Sequence, residues 1–221
     1  MSRRDLAVVG LASLVLVLVH SVLWDAVRWN GDELVPRMAD LVAVGETKAT
    51  LFRLSLVFDM VGSYLLLIPL ALHLRRRYRD APLVDLATVG ALVYGVAGAL
   101  TAAGLAIAGE SLMRDHAGAA PADQAAVATS FRTVMDAALG SWQLLCLSAA
   151  GFWWLVIGRV MRPDHRWLGL FTVAFGAFSL AVALGRALGL DYEVAGPATI
   201  AFAPIGVWAA WVGLATSEDG G

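Results

Sequence analysis

Six long apolar segments constrain the fold of this chain more than any other feature. They cover roughly residues 6–27, 52–74, 84–109, 136–160, 167–189 and 195–215. Each reaches the ~20 residues that an α-helix needs to cross about 30 Å of hydrocarbon. Because lipid offers no hydrogen bonds to a bare backbone, such segments are typical of transmembrane helices. The sequence predicts an all-α fold, a single domain over residues 1–221 that forms a polytopic membrane bundle of six transmembrane helices.

Composition excludes several classes of protein. Of the 221 residues 59% are hydrophobic and 15% are charged, and six spans leave no room for a soluble domain. The net charge of −2 gives no indication of a nucleic-acid partner. Cys146 is the only cysteine, so the chain has neither an internal disulfide nor a thiol pair for redox chemistry. The expected surroundings are a lipid bilayer.

Arginine placement predicts the orientation. Arginines cluster at three places along the chain, which are Arg3 and Arg4, then Arg75, Arg76, Arg77 and Arg79, then Arg159, Arg162 and Arg166. With six spans all three groups fall on one side, and the positive-inside rule makes that side cytoplasmic, with both termini inside. Usage rich in arginine and alanine indicates a bacterium with a GC-rich genome. The predicted location is the bacterial cytoplasmic (inner) membrane, as a multi-pass protein.

Details within and between the spans predict further local structure. Apolar residues recur at helical spacing over 32–42, which favours a short helix on the outer interface. A proline suits a first helical turn, so a helix starting at Pro121 should run unbroken into the fourth span. Pro69 and Pro204 each remove a backbone donor inside a span and should kink it.

Small residues recur at four-residue spacing in the third and fifth spans. The stripes are Ala91, Gly95 and Ala99, then Gly98, Ala102 and Ala106, then Ala177, Ala181, Gly185 and Gly189. Such residues let helices approach closely. We expect packing within the bundle, and a homodimer through these small-residue faces is the alternative.

A faint internal repeat relates the second and fourth spans. Phe52-Arg53 is followed by Asp59 and by Gly62-Ser63-Tyr64, and Phe131-Arg132 is followed by Asp136 and by Gly140-Ser141-Trp142. The aspartate is displaced by about two residues between the copies. Duplication of a helical hairpin and chance similarity in a biased composition both explain this pattern.

Ionisable residues concentrate in the outer parts of the spans. They include His20, Asp25, Arg28, Arg53, Asp59, Glu110, Arg132, Asp136 and Arg186. Arg132, Asp136 and Gln143 are separated by four and seven residues and therefore share a helix face. An unpaired charge as deep as Asp59 costs at least ~2.5–3.5 kcal/mol on insertion scales. We therefore expect Asp59, Asp136, Arg53, Arg132 and Gln143 to face the bundle interior around one connected, outward-facing polar cavity.

A purely structural explanation competes with this site. Arg53, Arg132 and Arg186 can pair with Asp59, Asp136 and Glu110 and hold the bundle together without any further task. His20 by itself is weak support, because a single histidine on an apolar face is more often a packing residue than a ligand. The concentration of charges in one leaflet favours a site.

Several cofactor sites are excluded by residue placement. Haem held by two histidines needs both at one depth, whereas His20 is outer, His73 inner, and His116 and His165 lie in opposite loops. No paired cysteines or clustered histidines suggest a metal site. Lys48, the only lysine, lies in a loop and cannot carry a retinal within a span. We expect no cofactor and no metal.

The chain also resembles a known group of proteins. The six-span layout, Phe52-Arg53, the basic end Leu74–Tyr78, and the hairpin from Gly158-Arg159 to Arg166–Leu170 carry the resemblance. It is to a large group of uncharacterised six-span bacterial integral membrane proteins, a domain of unknown function. The resemblance covers most of the chain through short motifs and implies the fold without a function.

The function that the sequence favours is a small membrane enzyme. It would isomerise or cyclise a lipophilic small molecule, of isoprenoid type, by acid–base chemistry, which buried carboxyls suit because burial disfavours their charged form. The candidate catalytic residues are Asp59, Asp136 and His20. The candidate substrate-binding residues are Arg53, Arg132, Arg186, Gln143, Asp25, Trp142 and Tyr94. Small membrane-embedded terpene cyclases are an analogy for this interpretation at the level of fold only.

Two other classes of function use the same residues. A binding or transport protein would take a small ligand or an ion into the cavity, and the kinking residues Pro69 and Pro204 suit it. An accessory or sensor subunit would use the charges to orient a partner. An occupant seen in the cavity would discriminate these hypotheses.

Overall fold

The computed structural model describes residues 2–30, 33–35, 37–190 and 198–218. The α-helices in these ranges are α1 Arg3–Arg28, α2 Glu46–Asp59, α3 Leu67–Arg77, α4 Val84–Gly118, α5 Pro121–Gly140, α6 Leu147–Met161, α7 Arg166–Ala187 and α8 Ala198–Glu218. Two π-helical segments, Met60–Leu65 and Ser141–Cys146, connect α2 to α3 and α5 to α6. After α1, the two-residue strands β1 Trp29–Asn30 and β2 Glu33–Leu34 pair antiparallel, and a 3₁₀ helix spans Met38–Ala43.

Five helical stretches of the described chain are long and apolar enough to cross a membrane. They are Arg4–Arg28, Glu46–Arg77, Val84–Gly118, Pro121–Met161 and Arg166–Ala187. The protein is therefore an α-helical bundle suited to a lipid bilayer, as predicted. Of the sixth predicted span, 195–197 lie outside the described residues. The apolar part of α8 that the structure describes, Phe202–Ala215, is shorter than a full span.

Three local predictions fare differently. The helix start at Pro121 is confirmed, with the proline in the first turn of α5. The helix continues without a break into the fourth span, as predicted: Pro121–Met161 is one helical stretch, within which Ser141–Cys146 has π rather than α geometry. The helix expected over 32–42 is a 3₁₀ helix from Met38 to Ala43, and residues 32 and 36 lie outside the described residues.

Each of the two spans that share the sequence repeat contains one π segment. We call Glu46–Arg77 the first copy and Pro121–Met161 the second copy. In both, an α-helix from the side opposite the basic loops enters a π segment that contains the serine and aromatic residue of the motif. The copies meet at Phe52 and Phe131, whose fully buried rings lie 6.2 Å apart. A π turn widens a helix locally and occurs frequently at functional sites.

Glycines bring the backbones of two antiparallel helix pairs into contact. Between α6 and α7, a Cβ on Gly158 would lie 2.8 Å from the carbonyl oxygen of Gly169, and one on Gly176 would lie 2.8 Å from that of Gly151. The glycines on each helix are seven residues apart, so they lie on one face. The glycines that serve the contact of α1 with α8 are Gly10, Gly206 and Gly213. We call these two contacts the glycine seams.

The small residues of α4 pack inside the bundle. Gly98 lies under the ring of Tyr64, and Gly95 lies against Ile68. The small residues of both α4 stripes, which are Ala91, Gly95, Ala99, Gly98, Ala102 and Ala106, are all buried. These residues are therefore not available for a homodimer face, whereas Ala177 and Ala181 on α7 are exposed.

The buried apolar residues form two clusters. The inner cluster contains Trp153, Trp154 and Trp208 and extends to the ends of the helices near the basic loops. The outer cluster contains Trp24, Phe52, Phe131, Met113 and Leu41. Leu41 comes from the 3₁₀ helix, which packs against α4 and α5. The outer cluster is therefore the core of a cap at the end of the bundle opposite the basic loops.

The α4–α5 hairpin extends beyond the apolar surface of the bundle. Between Ile107 and Leu144, no large hydrophobic side chain of the described chain is exposed, whereas both flanking stretches expose several. With 35 residues, α4 is about 52 Å long and exceeds the ~30 Å hydrocarbon layer. The outer part of the hairpin therefore belongs in water or among lipid headgroups.

Contacts at the other end join the two basic loops. The Tyr78 hydroxyl donates to Asp164 Oδ2 at 3.1 Å, and Arg77 Nη2 lies 3.5 Å from the same oxygen. Arg75 Nε forms an ion pair with Asp85 Oδ1 at 2.6 Å. Both arginine-rich loops therefore lie at one end of the bundle. Leu6 belongs to the same buried cluster as Leu74 near this end, and Gly213 of α8 packs against Leu6.

Candidate functional site

A histidine and a carboxylate meet in the interior of the bundle. His20 of α1 is 2% exposed and Asp59, the last residue of α2, is 3% exposed. His20 Nε2 lies 4.0 Å from Asp59 Oδ1. Among the described residues neither atom has a hydrogen-bond partner, although both are buried. Buried polar atoms without partners are rare and costly, so this pair is the leading candidate site.

Helical spacing explains why these two side chains point at one another. Asp59 follows Phe52 by seven residues, which returns it to within about 20° of the buried phenylalanine face. Gly62 lies one turn further on, and a Cβ there would come within 2.8 Å of Leu16 Cβ. The missing side chain lets α1 approach the first copy closely enough for His20 to reach Asp59.

Ser55 fixes the other side of the imidazole ring. His20 Nδ1 lies 3.0 Å from the Ser55 carbonyl oxygen and 2.9 Å from Ser55 Oγ. The hydroxyl also reaches the backbone carbonyl of His20 at 3.3 Å. Two contacts from Ser55 to Nδ1 thus orient the ring and turn Nε2 towards Asp59. Ser55 itself is completely buried.

Hydroxyl groups and aromatic rings surround the pair. The hydroxyls of Ser63 and Tyr64 lie beside the Asp59 carboxyl. The His20 ring meets Phe202 edge-on, with ring centroids 4.9 Å apart, and lies 6.0 Å from the Trp24 ring. Because Trp24 belongs to the outer cluster and Tyr64 to the inner one, the pair sits where the two buried clusters meet.

A separate ion-pair network joins the buried Glu110 to two arginines that are about half exposed. Glu110 accepts from Arg53 Nη1 at 2.9 Å and from Arg114 Nη2 at 3.1 Å. Arg114 also contacts Glu46 Oε1 at 2.7 Å and Thr50 Oγ1 at 2.8 Å. Arg53, Glu110 and Arg114, with Ile107 and Ser111, line a shallow groove of about 490 Å³. This groove does not include His20 or Asp59.

The prediction that Asp136 and Arg132 face the interior is wrong. Both side chains are exposed on α5, in the part of the hairpin that lacks exposed large hydrophobic residues. Asp136 follows the buried Phe131 by five residues, which places it about 140° around the helix from that ring. Ala138, seven residues after Phe131, occupies the buried position and is 6% exposed. Water can solvate Asp136 and Arg132, so they need no buried partner.

Arg53 is also misplaced by the sequence prediction. Its side chain is 47% exposed and pairs with Glu110, so it lies apart from the Asp59 carboxyl. The single connected site that the sequence predicted is therefore two sites. One is the buried pair, and the other is this ion-pair network.

The remaining predicted residues lie around the second π segment and at helix ends. Tyr94 is buried, and its ring centroid is 5.1 Å from that of Tyr64. Trp142 is partly buried and packs against both clusters, and Gln143 next to it is partly buried. Asp25 and Arg186 are partly buried near the ends of α1 and α7. Of the predicted set, the structure brings together His20 and Asp59, and Tyr94 lies next to them through its ring contact with Tyr64.

Sequence reasoning missed Ser55 as a site residue. The signal was present, because Ser55, Asp59 and Ser63 are four residues apart and share one face of the first copy. His20 lies on a different helix, and helical spacing within one segment cannot show which face of another segment it contacts. Comparison of the chain with protein-family models, with curated proteins and with solved structures gives no match.

Proposed function

We propose that the protein is a small integral membrane enzyme that acts on a lipophilic molecule by acid–base chemistry at the His20–Asp59 pair. The observation that carries the proposal is the 4.0 Å separation of two buried polar atoms, His20 Nε2 and Asp59 Oδ1, which have no hydrogen-bond partner within the part of the chain that the structure describes. An oxygen between them can lie about 2.8 Å from each, which is hydrogen-bond distance to both a proton donor and a proton acceptor. Isomerisation or cyclisation of an isoprenoid-type molecule is the reaction class that we propose.

The depth of the pair supports a lipophilic substrate. Val22 on α1 and Leu54 on the first copy expose apolar side chains on the cap side of His20 and Asp59, so the pair lies within the apolar zone of the bundle. A substrate that reaches it from the bilayer has to be apolar over most of its surface. Asp136 is not part of this mechanism.

We further propose the topology and cellular setting. In this proposal α8 is the sixth span, the end with the basic loops and both termini is cytoplasmic, and the membrane is the inner membrane of a bacterium. The cap then lies on the outer side. The resemblance to uncharacterised six-span bacterial membrane proteins stays a prediction, and labelling of single cysteines at Gly118 and Asp164 from either side would test the topology.

Turnover of membrane lipids tests the enzyme. Wild-type protein in lipid nanodiscs would be incubated with a total isoprenoid extract of bacterial membranes, and the extract compared by chromatography and mass spectrometry. We expect a compound of unchanged mass and altered retention time to appear with wild-type protein and with Asp136→Asn. It should be absent with Asp59→Asn and His20→Gln. Equal conversion by all four proteins, or by none, would contradict the proposal.

A binding or transport function is the second candidate, and the π segments favour it. Both pack on α4, the first through Tyr64 at Gly98 and the second through Ser141, whose Oγ is 2.8 Å from Thr101 Oγ1. The two π segments contact neighbouring turns of α4, and helices can bend where they depart from α geometry. Proton flux into proteoliposomes that depends on Asp59, without any converted lipid, would select this candidate over the enzyme.

A further inference from the structure

The protonation of His20 follows from the atoms around Nδ1. The Ser55 carbonyl oxygen, 3.0 Å away, can only accept a hydrogen bond. Nδ1 must therefore carry a proton and donate it, because an unprotonated Nδ1 would place two lone pairs against each other. The Ser55 hydroxyl can then donate to the His20 carbonyl at 3.3 Å, which satisfies its own proton. When the ring is neutral, Nε2 is consequently the acceptor.

The number of protons that Nε2 and Oδ1 share follows from this tautomer. A neutral His20 and an ionised Asp59 would direct two acceptors at one another across 4.0 Å with no proton between them. One proton on either Nε2 or Oδ1 removes this conflict and leaves the pair with no net charge. Among the described residues, the other titratable side chains near the pair are Tyr64, Tyr94 and Cys146, none of which supplies a cation. A buried pair without net charge also avoids most of the cost of an isolated ion.

A pair with one proton offers one donor and one acceptor. A hydroxyl group matches this arrangement, because its oxygen accepts from one member while its proton goes to the other. An oxygen about 2.8 Å from both atoms, 4.0 Å apart, subtends an angle of about 90°. An ammonium group would match the pair only after it had lost its proton, and a carboxylate only after it had gained a second one, so neither matches the pair with one proton.

We propose that the His20–Asp59 site binds the hydroxyl group of an uncharged lipophilic alcohol. The inference rests on the proposed function and names the substrate class of that site. Water has the same hydrogen-bonding groups, but the rings of Trp24 and Phe202 beside His20 provide apolar surface for a hydrocarbon body. Ser55 is a positioning residue, since it acts through the imidazole ring.

A set of matched amphiphiles tests this assignment. The probes are 1-dodecanol, its methyl ether, dodecylamine and dodecanoic acid, each added to protein in nanodiscs, with melting followed by tryptophan fluorescence. We expect dodecanol to raise the melting temperature of wild-type protein by about 3–5 °C at ten times its Kd. The methyl ether cannot donate a hydrogen bond. Its shift with wild-type protein should not exceed the shift that dodecanol gives with the double variant His20→Leu, Asp59→Leu. Asp136→Asn should respond as the wild type does.

Every other outcome would overturn the assignment. An equal shift from the ether would show that only apolar partitioning is measured, a larger shift from the amine or the acid would show a charged ligand, and no shift from dodecanol would indicate a site for water alone. If the double variant is unfolded, His20→Gln and Asp59→Asn replace it. Nitrogen NMR of labelled histidine, assigned through His20→Gln, should show the proton on Nδ1, with a weaker preference in Ser55→Ala than in the control Ser13→Ala.

Failure of this inference differs from failure of the proposed function. Dodecanol binding without any lipid conversion would leave the ligand class in place and remove the enzyme. Conversion of a lipid that has no hydroxyl group, dependent on Asp59, would leave the enzyme in place and remove the ligand class.

Discussion

The two copies of the spanning unit share their architecture and differ in where their aspartate lies. Glu46–Arg77 and Pro121–Met161 both run through a π segment, and both bury a phenylalanine, Phe52 or Phe131, at the contact between them. Only the first copy directs its carboxyl into the bundle. Asp59 is buried, whereas Asp136 is exposed and Ala138 fills the equivalent buried position.

The difference shows how small a sequence shift separates a candidate site from a surface charge. A residue seven positions after the phenylalanine lies on the same, buried face of the helix, whereas a residue five positions after it lies on the other side. The copies can therefore look alike in composition while only one of them has a buried acid. His20 meets the first copy and gives its acid a partner.

Ala138→Asp, which places an acid at the buried position of the second copy, should have the largest effect on stability. The new carboxyl would be buried at the position that matches Asp59 but without a histidine beside it. We expect a loss of stability on the order of 3–5 kcal/mol, because an unpaired buried charge must be desolvated or protonated. Thermal unfolding in detergent measures the loss. Ala137→Asp, on the exposed side of the same turn, is the matched control, and equal destabilisation by both variants would contradict the comparison.

Removing one member of the buried pair should have the next largest effect. His20→Leu leaves Asp59 without its neighbour and should cost about 2–4 kcal/mol. The double variant His20→Leu, Asp59→Leu should recover most of that loss, since apolar replacement of a buried polar pair is often neutral. A double-mutant cycle of unfolding free energies measures the coupling. Additive losses would mean that the two side chains do not act as a pair.

The sequence was sufficient for the class of fold and for part of the candidate site. Segment length and hydropathy determine spanning helices directly, so five of the six predicted spans correspond to helices that can cross a membrane. The choice of His20 and Asp59 followed from the cost of placing ionisable groups within lipid. These properties depend on composition along a single segment, which a sequence displays.

The parts that failed depend on relations between segments. The π segments shift the helix phase at Met60–Leu65 and Ser141–Cys146, and no residue pattern in those stretches forbids an ordinary α-helix. The length of the α4–α5 hairpin outside the apolar zone was not evident, so Asp136 was placed too deep. Pairing of Arg53 with Glu110 depends on the packing of α2 against α4, which periodicity within one helix does not reveal.

The Tyr78–Asp164 contact ties the basic ends of the two copies together and should have a smaller effect. Tyr78→Phe removes the hydrogen bond that the hydroxyl donates to Asp164 and the one that it accepts from Arg77 Nε, and should cost about 1 kcal/mol at neutral pH. Burial raises the pKa of Tyr78 above its ordinary value of 10.0, and the guanidinium of Arg77 opposes part of that rise. The fold therefore favours the neutral phenol, and this contribution is complete below pH 10.0 and declines as pH rises through the folded pKa.

Unfolding of wild-type protein and Tyr78→Phe across this range measures that contribution. The difference in stability should be constant up to about pH 10 and should shrink above it. A difference that grows with rising pH would mean that the ionised phenol is the favoured form. Phenolate absorbance, compared between the two proteins, identifies the titrating group.

Asp136→Asn should have the smallest effect of the series. Its side chain is exposed on α5, so the change in stability should stay within about 0.5 kcal/mol. The same substitution at Asp59 alters a buried group and should change stability or activity measurably. If Asp136→Asn destabilises the protein as much as Asp59→Asn does, the second copy contains a buried acid after all and the contrast between the copies fails.

The glycine seams divide the bundle mechanically. At these glycines α6 meets α7 and α1 meets α8 at backbone contact distance, which leaves little room for either pair to slide. Each pair should therefore move as one rigid strut. Movement between the struts then falls to the two π segments that pack against α4, Met60–Leu65 and Ser141–Cys146, the first of which begins directly after Asp59. A change in the tilt of the α1–α8 pair would lengthen or shorten the distance between His20 and Asp59, because His20 belongs to α1 and Asp59 directly precedes the π segment Met60–Leu65.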